Sequence, residues 1–396
     1  MRIINADVFC EDGTFEKREI TMENGRFTGE GKNGSGKTPA GDSREGTGET
    51  VLDAEGLYAI PGLVDIHFHG CMGFDFCDGT QEAMEKIAEY ELSQGITSIV
   101  PATMTFSEEI LSGIMECAAR FAASQETEGK GHGKPCRAAL RGINMEGPFI
   151  SGAKKGAQNP AYIMNPDISM FERLQEKAKG LIRFCDIAPE LPGSREFITK
   201  LHDKVGISLA HTTADYETAA EAFSLGARHV THLYNAMPPF SHRAPGVAGA
   251  ACDHENVRVE LICDGVHIHP SVVRTTFKMF GDDRICLISD SMEAAGLPDG
   301  EYSLGGQPVK VVGNRAALKD GTIAGSNTNL MNCLRTAVLK MGIPLGSAVK
   351  CASMNPAKAA GLFDICGSIA PGKSADLLLV DRELKIHTMV FQGELL

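Results

Sequence analysis

An apolar run, Leu63-Val64-Asp65-Ile66, leads into His67-Phe68-His69-Gly70 just after Pro61-Gly62. Side chains alternate faces along a strand, so residues two apart point the same way. His67 and His69 are therefore expected side by side at the end of a strand, where two imidazoles begin a metal site. Taken alone, the pair reads equally well as two ordinary histidines of a half-buried strand. The rest of the chain repeats the pattern. Glu146 ends one apolar run, just before Gly147-Pro148, and His211, His232 and Asp290 end others; Asp264 and His267 follow a further one. Two or three imidazoles with a carboxylate bind a divalent metal and leave a position for water. The metal lowers the pKa of that water toward neutrality. Asp290 then suits a general base that passes the proton on to a leaving group, and His267 suits the donor that stabilises the oxyanion. The arrangement reads as a metal-dependent hydrolase.

Each residue has a plainer reading. His211 alone would be a hydrogen-bonded core histidine, Glu146 a helix cap or surface acid, and Asp290 an N-cap with Ser291. His229 and His232 lie on opposite strand faces, so at most one points inward; His232 is nearer the strand end and is chosen. His132, His202, His242, His254, His269 and His387 fall in loop or surface contexts and receive no role.

Strands at 64–69, 97–103, 140–146, 183–188, 207–211, 229–232, 259–263 and 285–290 must position these groups. Helical patterns at 81–94, 108–124, 215–225 and 271–280 fall between them, with 327–341 and 345–360 after the last. Eight strand-plus-helix units predict an α/β chain of the (β/α)8 barrel class, which carries its reacting groups at the C-terminal strand ends. Short strands at 2–10, 19–22, 51–54 and 57–60, with strand character returning at 377–381, predict a small β-domain built from both termini. The expected division is 1–60 and 363–396 for that domain and 61–362 for the barrel. The stretches 29–49 and 129–135 read as mobile or solvated loops.

A formal charge of −13 argues against nucleic acid as the main partner. An anionic small molecule stays open, because a local Arg or a helix N-terminus outweighs a net charge. The opening Met1-Arg2-Ile3-Ile4-Asn5 does not read as a signal peptide, and no apolar run approaches a membrane span. The 12 cysteines form no C-x-x-C pair and several sit in apolar runs, which reads as reduced thiols and a cytoplasmic protein.

The stretch from Pro61 to Gly70 resembles the first-strand motif of the amidohydrolase superfamily. Met145-Glu146-Gly147-Pro148-Phe149-Ile150, Thr231-His232-Leu233-Tyr234-Asn235-Ala236-Met237-Pro238 and Asp264-Gly265-Val266-His267 narrow it. With Arg243-Ala244-Pro245-Gly246 and Ser289-Asp290, they are similar to the N-acetylglucosamine-6-phosphate deacetylases. The resemblance runs from Pro61 to Ala370-Pro371-Gly372-Lys373-Ser374-Ala375-Asp376.

It implies a (β/α)8 barrel with a small β-sandwich from both termini, a homodimer, and hydrolysis of the acetamide of a phosphorylated amino sugar. By resemblance Glu146, His211 and His232 hold the principal ion. His67 and His69 add a second, with Glu146 shared; the metal is zinc, or iron or another divalent ion. Asp290 is the base and then the acid, and His267 polarises the carbonyl. Substrate contacts map onto Ala157, Asn235, Ala236, Arg243, His267 and an Ile323-Ala324-Gly325 turn. Arg243 reaches the phosphate across the dimer interface, as a guanidinium fork suits. Gln158 stands where some members carry His; it can hydrogen-bond a sugar hydroxyl but carries no charge. Cys71 and Cys77 lie near the expected mouth and could compete for metal.

Three other readings stay open. Amidohydrolases with a carboxylated lysine at the end of strand four are disfavoured, because that strand ends Ala188-Pro189-Glu190. A deacetylase for the galacto epimer differs by one hydroxyl. A barrel that only binds would lack a ligand or Asp290, and none is lacking.

Overall fold

The computed structural model describes residues 1–29, 50–127 and 136–396; the loops expected at 29–49 and 129–135, apart from Gly29, lie outside the described residues, as does His132. Eight parallel strand segments follow in chain order: Leu63–Asp65, Ile96–Ile99, a third interrupted strand (Ala139–Leu140, then Ile143–Met145), Ile182–Ile187, Gly206–Leu209, His229–Val230, Arg258–Ile262 and Ile285–Ile288. Each pairs with the next in parallel. The sheet divides only inside the third strand, where an isolated parallel bridge joins Ala102 to Asn144. At the far edge the Asp290 N–H donates to the His67 carbonyl at 2.9 Å, linking the last strand's end to the first. The sheet is therefore strongly curled. Most of these strands are buried on both faces, as parallel strands covered by helices must be.

Val64, Phe184, Ile262, Cys286 and Ile288, from four strands not all neighbours, form one cluster with Val100 just past the end of the second strand. Only the inside of a curl brings them together. Ala357, Leu362 and Cys366 join that cluster, so the C-terminal segment packs beneath it. A second, larger cluster packs helices on the outer face, with Phe121, Phe171, Phe197 and Phe223 buried there.

Every one of these parallel strands stops earlier than the sequence predicts. The first ends at Asp65 rather than 69, so His67 and His69 lie beyond it and strand alternation does not set their facing. The physical cause is visible at three other ends. His211, His232 and Asp290 have positive φ of 42°, 29° and 48°, a left-handed conformation that ends a strand and costs energy for a residue with a Cβ. Such strain clusters at functional sites.

The helices follow their expected places with caps that fix their starts. Thr80 caps Gln81–Ser93 and Asp215 caps Tyr216–Leu225 through side-chain oxygens. His269 accepts from the Ser271 N–H at the start of Pro270–Phe280, so it is a cap. The expected 327–341 is Leu330–Arg335 running into a π-helical turn, Thr336–Lys340. The expected 345–360 breaks at Ser353 into Leu345–Ala352 and Met354–Ala359, where Pro356 lacks the N–H to continue the ladder. Ile168–Lys177, Ser194–Leu201 and Gly246–Asp253 complete the alternation and were not predicted.

The chain ends meet in two further sheets. One runs Arg26–Thr28, Ile20–Glu23, Arg2–Ile4, Val51–Asp53; the other Glu394–Leu395, Ile386–Phe391, Leu377–Val380, Tyr58–Pro61, Asp7–Phe9, Phe15–Lys17. The strand expected at 2–10 breaks at Asn5 (φ 65°), which sends its halves into different sheets. Ile3, Met22, Phe27, Ala59, Leu377 and Val390 share one apolar cluster between them.

A four-stranded antiparallel sheet after the last parallel strand was not predicted: Gly300–Leu304, Gln307–Val312, Arg315–Ala317 and Ile323–Ser326. The expected turn at 323–325 is its last strand. Gly325 has φ +64°, and a Cβ there would come 3.0 Å from the Asp290 carbonyl oxygen. That close approach, with the Ser326 N–H donating to the same oxygen at 2.7 Å, fixes Asp290 from outside the curl.

Candidate metal centre

Glu146, His211 and His232 converge at the C-terminal ends of the third, fifth and sixth parallel strands. Glu146 Oε1 lies 3.0 Å from His211 Nε2 and 3.0 Å from His232 Nε2, and the two nitrogens are 3.2 Å apart. His67 Nε2 is 3.5 Å from Glu146 Oε1, and His69 Nε2 is 3.4 Å from Glu146 Oε2. Asp290 Oδ1 approaches His69 Nε2 at 3.3 Å and His67 Nε2 at 3.8 Å. All six are buried. Two overlapping triads, His67–His69–Asp290 and His67–Glu146–His232, each have ligand atoms within 4.8 Å of one another.

The hydrogen-bond chemistry tests whether a cation fits. His211 Nδ1 lies 2.8 Å from the Lys154 carbonyl oxygen, which can only accept, so Nδ1 carries the hydrogen. The neutral ring then turns a lone pair on Nε2 toward a carboxylate oxygen and another imidazole nitrogen. His67 repeats this: Nδ1 donates to Glu260 Oε2 at 3.0 Å, and the buried Nε2 has no hydrogen-bond partner among the described residues. With the Nδ1 hydrogens of His211 and His67 committed elsewhere, their Nε2 atoms are left to face a cation lying among them. The residues fit a divalent ion of the nitrogen-and-oxygen-liganded kind.

Electrostatics agree. Burial alone would raise the Glu146 pKa, but the adjacent His67, His211 and His232 rings hold it well below the carboxylate range. Asp290 is likewise lowered: burial opposes ionisation, and His69, His67 and His232 outweigh it. Asp290 is no N-cap in the structure; Ser291 belongs to a bridge with Ser326.

His267 is set apart. Its Nδ1 donates to Asp264 Oδ2 at 2.8 Å, and Asp264 Oδ1 accepts the His267 and Val266 N–H groups. Burial lowers its pKa, but Asp264 more than compensates, so it stands above the ordinary 6.5. The protonated ring keeps an Nε2–H that Asp264 does not use, in the lining of the cavity. That donor is present below the raised pKa and is lost as pH rises through it. The alkaline limb of kcat/KM is therefore expected to report His267. His267→Asn should remove that limb and cost about 10²–10³ in kcat; a pH–rate series on both proteins checks it.

Three supporting residues were not identified from sequence. Glu260, in Arg258–Ile262, is fully buried and accepts from His67 Nδ1, His229 Nε2 and the His232 N–H, each at 3.0 Å. The signal was there: an acid inside the apolar run Val259-Glu260-Leu261-Ile262. Asp65 accepts from the Ser289 hydroxyl at 2.5 Å, and burial pushes it up to about 7 against that bond. Asp186 accepts from Thr231 Oγ1 at 2.9 Å, and burial raises it well above its ordinary value.

A cavity of about 520 Å³ opens above the cluster, lined by His69, Glu146, His211, His232, His267 and Asp290. Ala157, Gln158, Asn235, Ala236, Ile323 and Gly325 line it as well. Ala324 does not: it alternates to the other face of its strand and packs with Met292 and Ala157. Gln158 lies in the wall with its amide engaged at both ends. The Thr105 N–H donates to its Oε1 at 2.7 Å, and its Nε2 donates to Glu146 Oε2 at 2.7 Å. Arg243 is absent from this cavity and lies exposed beside Thr213, Tyr216 and Pro245. Lys154 and Lys155, unassigned from sequence, also line the cavity, and the Lys154 amine donates to the Met237 carbonyl. Cys77 Sγ accepts the Met104 N–H at 3.2 Å, and Cys71 contacts the Ile87 carbonyl; neither joins a metal-ligating group among the described residues.

Comparison with known proteins follows the same lines. Residues 58–396 match the model of the amidohydrolase family. The N-acetylglucosamine-6-phosphate deacetylase of Bacillus subtilis is 37% identical over 337 residues, 85% of this chain and 84% of that protein. The N-acetylgalactosamine-6-phosphate deacetylase of Escherichia coli O157:H7 is 32% identical over 347 residues, 87% of this chain and 89% of the other. A mutant N-acetyl-D-glucosamine-6-phosphate deacetylase from Mycobacterium smegmatis, solved in complex with N-acetyl-D-glucosamine-6-phosphate, superposes with a TM-score of 0.87 at 31% identity. The match covers 100% of this chain and 98% of that one.

Proposed function

The chain belongs to the amidohydrolase family, and from that premise we propose that it hydrolyses the acetamide of N-acetyl-D-glucosamine 6-phosphate, giving D-glucosamine 6-phosphate and acetate. The observation that carries the reading is the convergence of Glu146 with the Nε2 atoms of His211 and His232, the hydrogen of His211 being committed through Nδ1 to the Lys154 carbonyl. Glu146, His211 and His232 hold a principal divalent ion, zinc or else iron or another divalent metal. His67 and His69 offer a second place beside Asp290, with Glu146 shared. A divalent ion bound there supplies Lewis acidity and makes water acidic enough to ionise near neutral pH.

The protein's own groups do the rest. Asp290, held ionised, takes the proton from water as oxygen adds to the acetyl carbon. His267 donates from Nε2 to the carbonyl oxygen as negative charge grows there. Asp290 then gives its proton to the sugar nitrogen as the C–N bond breaks. Asn235, Ala236, Ala157, Ile323 and Gly325 line the space for the sugar, and Lys154 and Lys155 in the same lining favour an anionic substrate.

The parallel sheet is a (β/α)8 barrel spanning 61–362, and 1–60 with 363–396 form a β-sandwich. The contact from Asp290 N–H to the His67 carbonyl supports closure, and the apolar cluster shared by the two terminal sheets supports the sandwich. The enzyme works in the cytoplasm, in amino-sugar catabolism, as a homodimer whose Arg243 serves the neighbouring site. Among the described residues no helix is long and apolar enough to cross a membrane.

An acetate-release assay with metal analysis of the same sample tests the reading. Rapid release from the gluco phosphate, and much slower release from its galacto epimer and from unphosphorylated N-acetylglucosamine, is expected. Faster release from the galacto phosphate would transfer the assignment to that epimer, as the Escherichia coli relative allows. No release from any, with metal bound, would overturn the substrate.

A further inference from the structure

One carboxylate beneath the cluster is used three times. Glu260 Oε2 accepts from His67 Nδ1 and from the His232 backbone N–H, and Oε1 faces His229 Nε2, all at 3.0 Å. Glu260 is fully buried.

We propose that Glu260 is a positioning residue that sets two metal ligands at once, with His229 as its brace. Glu260 Oε2 already accepts the His232 N–H and faces His67 Nδ1 as an acceptor too, so Nδ1 keeps its hydrogen and Nε2, the atom that enters the cluster, is the one left for the metal. The second bond acts on the backbone. His232 sits at φ 29°, a conformation its Cβ disfavours, and its N–H is tied down by Glu260. Without that acceptor the N–H would be a buried orphan and the turn that aims His232 at Glu146 would be free to relax. The third bond explains the sequence ambiguity between the two histidines of the sixth strand. His229 Nε2 is spent on Glu260 and its ring packs on Phe184 at 5.0 Å between centroids, so it serves the ligands from below.

The inference rests on the metal reading of the cluster, and the test separates the two. Release of Zn²⁺ from the loaded enzyme to a chromogenic chelator is followed for the parent, for Glu260→Met, which keeps the volume but accepts nothing, and for Glu260→Gln, which keeps one acceptor oxygen. Glu260→Met is expected to release metal about 10–100-fold faster, the usual cost of losing a partner behind a ligand, with Glu260→Gln between it and the parent. Placed in a His67→Ala background, the effect of Glu260→Met should shrink, because one of its two targets is gone. Parent-like release from Glu260→Met overturns the proposal, as does an undiminished factor in the His67→Ala background, which would mark a general loosening of the fold. If Glu260→Met does not fold, Glu260→Gln decides: faster release supports the proposal and parent-like release overturns it. A parent enzyme that takes up no Zn²⁺ at all would instead sink the metal reading.

Discussion

Asp290→Asn is expected to keep its metal and its fold while losing about 10²–10⁴-fold in kcat, the range associated with a positioned general acid–base group. The residue is well suited to that test. Its backbone is fixed independently of its side chain, by its own N–H to the His67 carbonyl at 2.9 Å and by the Ser326 N–H to its carbonyl at 2.7 Å. Its φ of 48° would strain most replacements, but Asn tolerates the left-handed region as well as Asp does. The amide also keeps an oxygen toward His69 Nε2, 3.3 Å from Oδ1 in the parent. What Asn cannot do is accept a proton from water or return it to nitrogen. Metal content by elemental analysis and turnover by acetate release should therefore separate. Substantial activity in Asp290→Asn would mean that another group carries the proton, and loss of metal along with activity would make Asp290 chiefly a ligand.

The polar ends of the strands were legible because an ionisable residue closing an apolar run is chemically conspicuous. Glu146, His211, His232 and Asp290 all announced themselves so, and the structure brings them within hydrogen-bonding range of one another or of the His67–His69 pair. The reason given for that pair was only partly right. Alternation along a strand predicted a shared facing, but the strand ends at Asp65 and the rings stand 84° apart with centroids separated by 5.6 Å. Left-handed turns, not strand pleating, aim several of these side chains, and no periodicity encodes a positive φ at His or Asp.

Glu260 and Asp186 were hidden for a different reason. Their partners lie on other strands, and a one-dimensional pattern shows an acid in an apolar run without showing what satisfies it. The inserted sheet at 300–326 left a readable trace, since Val309 and Val311 alternate with exposed neighbours. Pro308 and the glycines around it weakened that signal. Short helices such as Gly246–Asp253, built of Gly and Ala, depend on tertiary packing and carry little periodicity of their own.

Arg243→Ala should raise KM for the phosphorylated sugar about 10–100-fold, the loss of a charge-assisted hydrogen bond, and leave the unphosphorylated analogue nearly unchanged. Arg243 is exposed on the loop after Pro238-Pro239-Phe240 and does not line the metal cavity of its own chain. A residue so placed has no part in binding, serves its own chain's cavity only if the loop moves, or serves a second subunit's cavity, and mixing two damaged proteins singles out the last. Arg243→Ala chains carry an intact Asp290, and Asp290→Asn chains carry an intact Arg243. If subunits exchange, random pairing at equal amounts makes half the dimers mixed, and each mixed dimer has one site with both groups in place. About a quarter of all sites are then fully competent, and activity at low substrate should rise above the mean of the two parents. If Arg243 serves its own chain's cavity, every site in the mixture lacks one group or the other and no gain appears. Equal losses for phosphorylated and unphosphorylated sugars in Arg243→Ala would show that the guanidinium does not meet the phosphate, and Lys154 and Lys155 in the cavity lining would then be the cations to change.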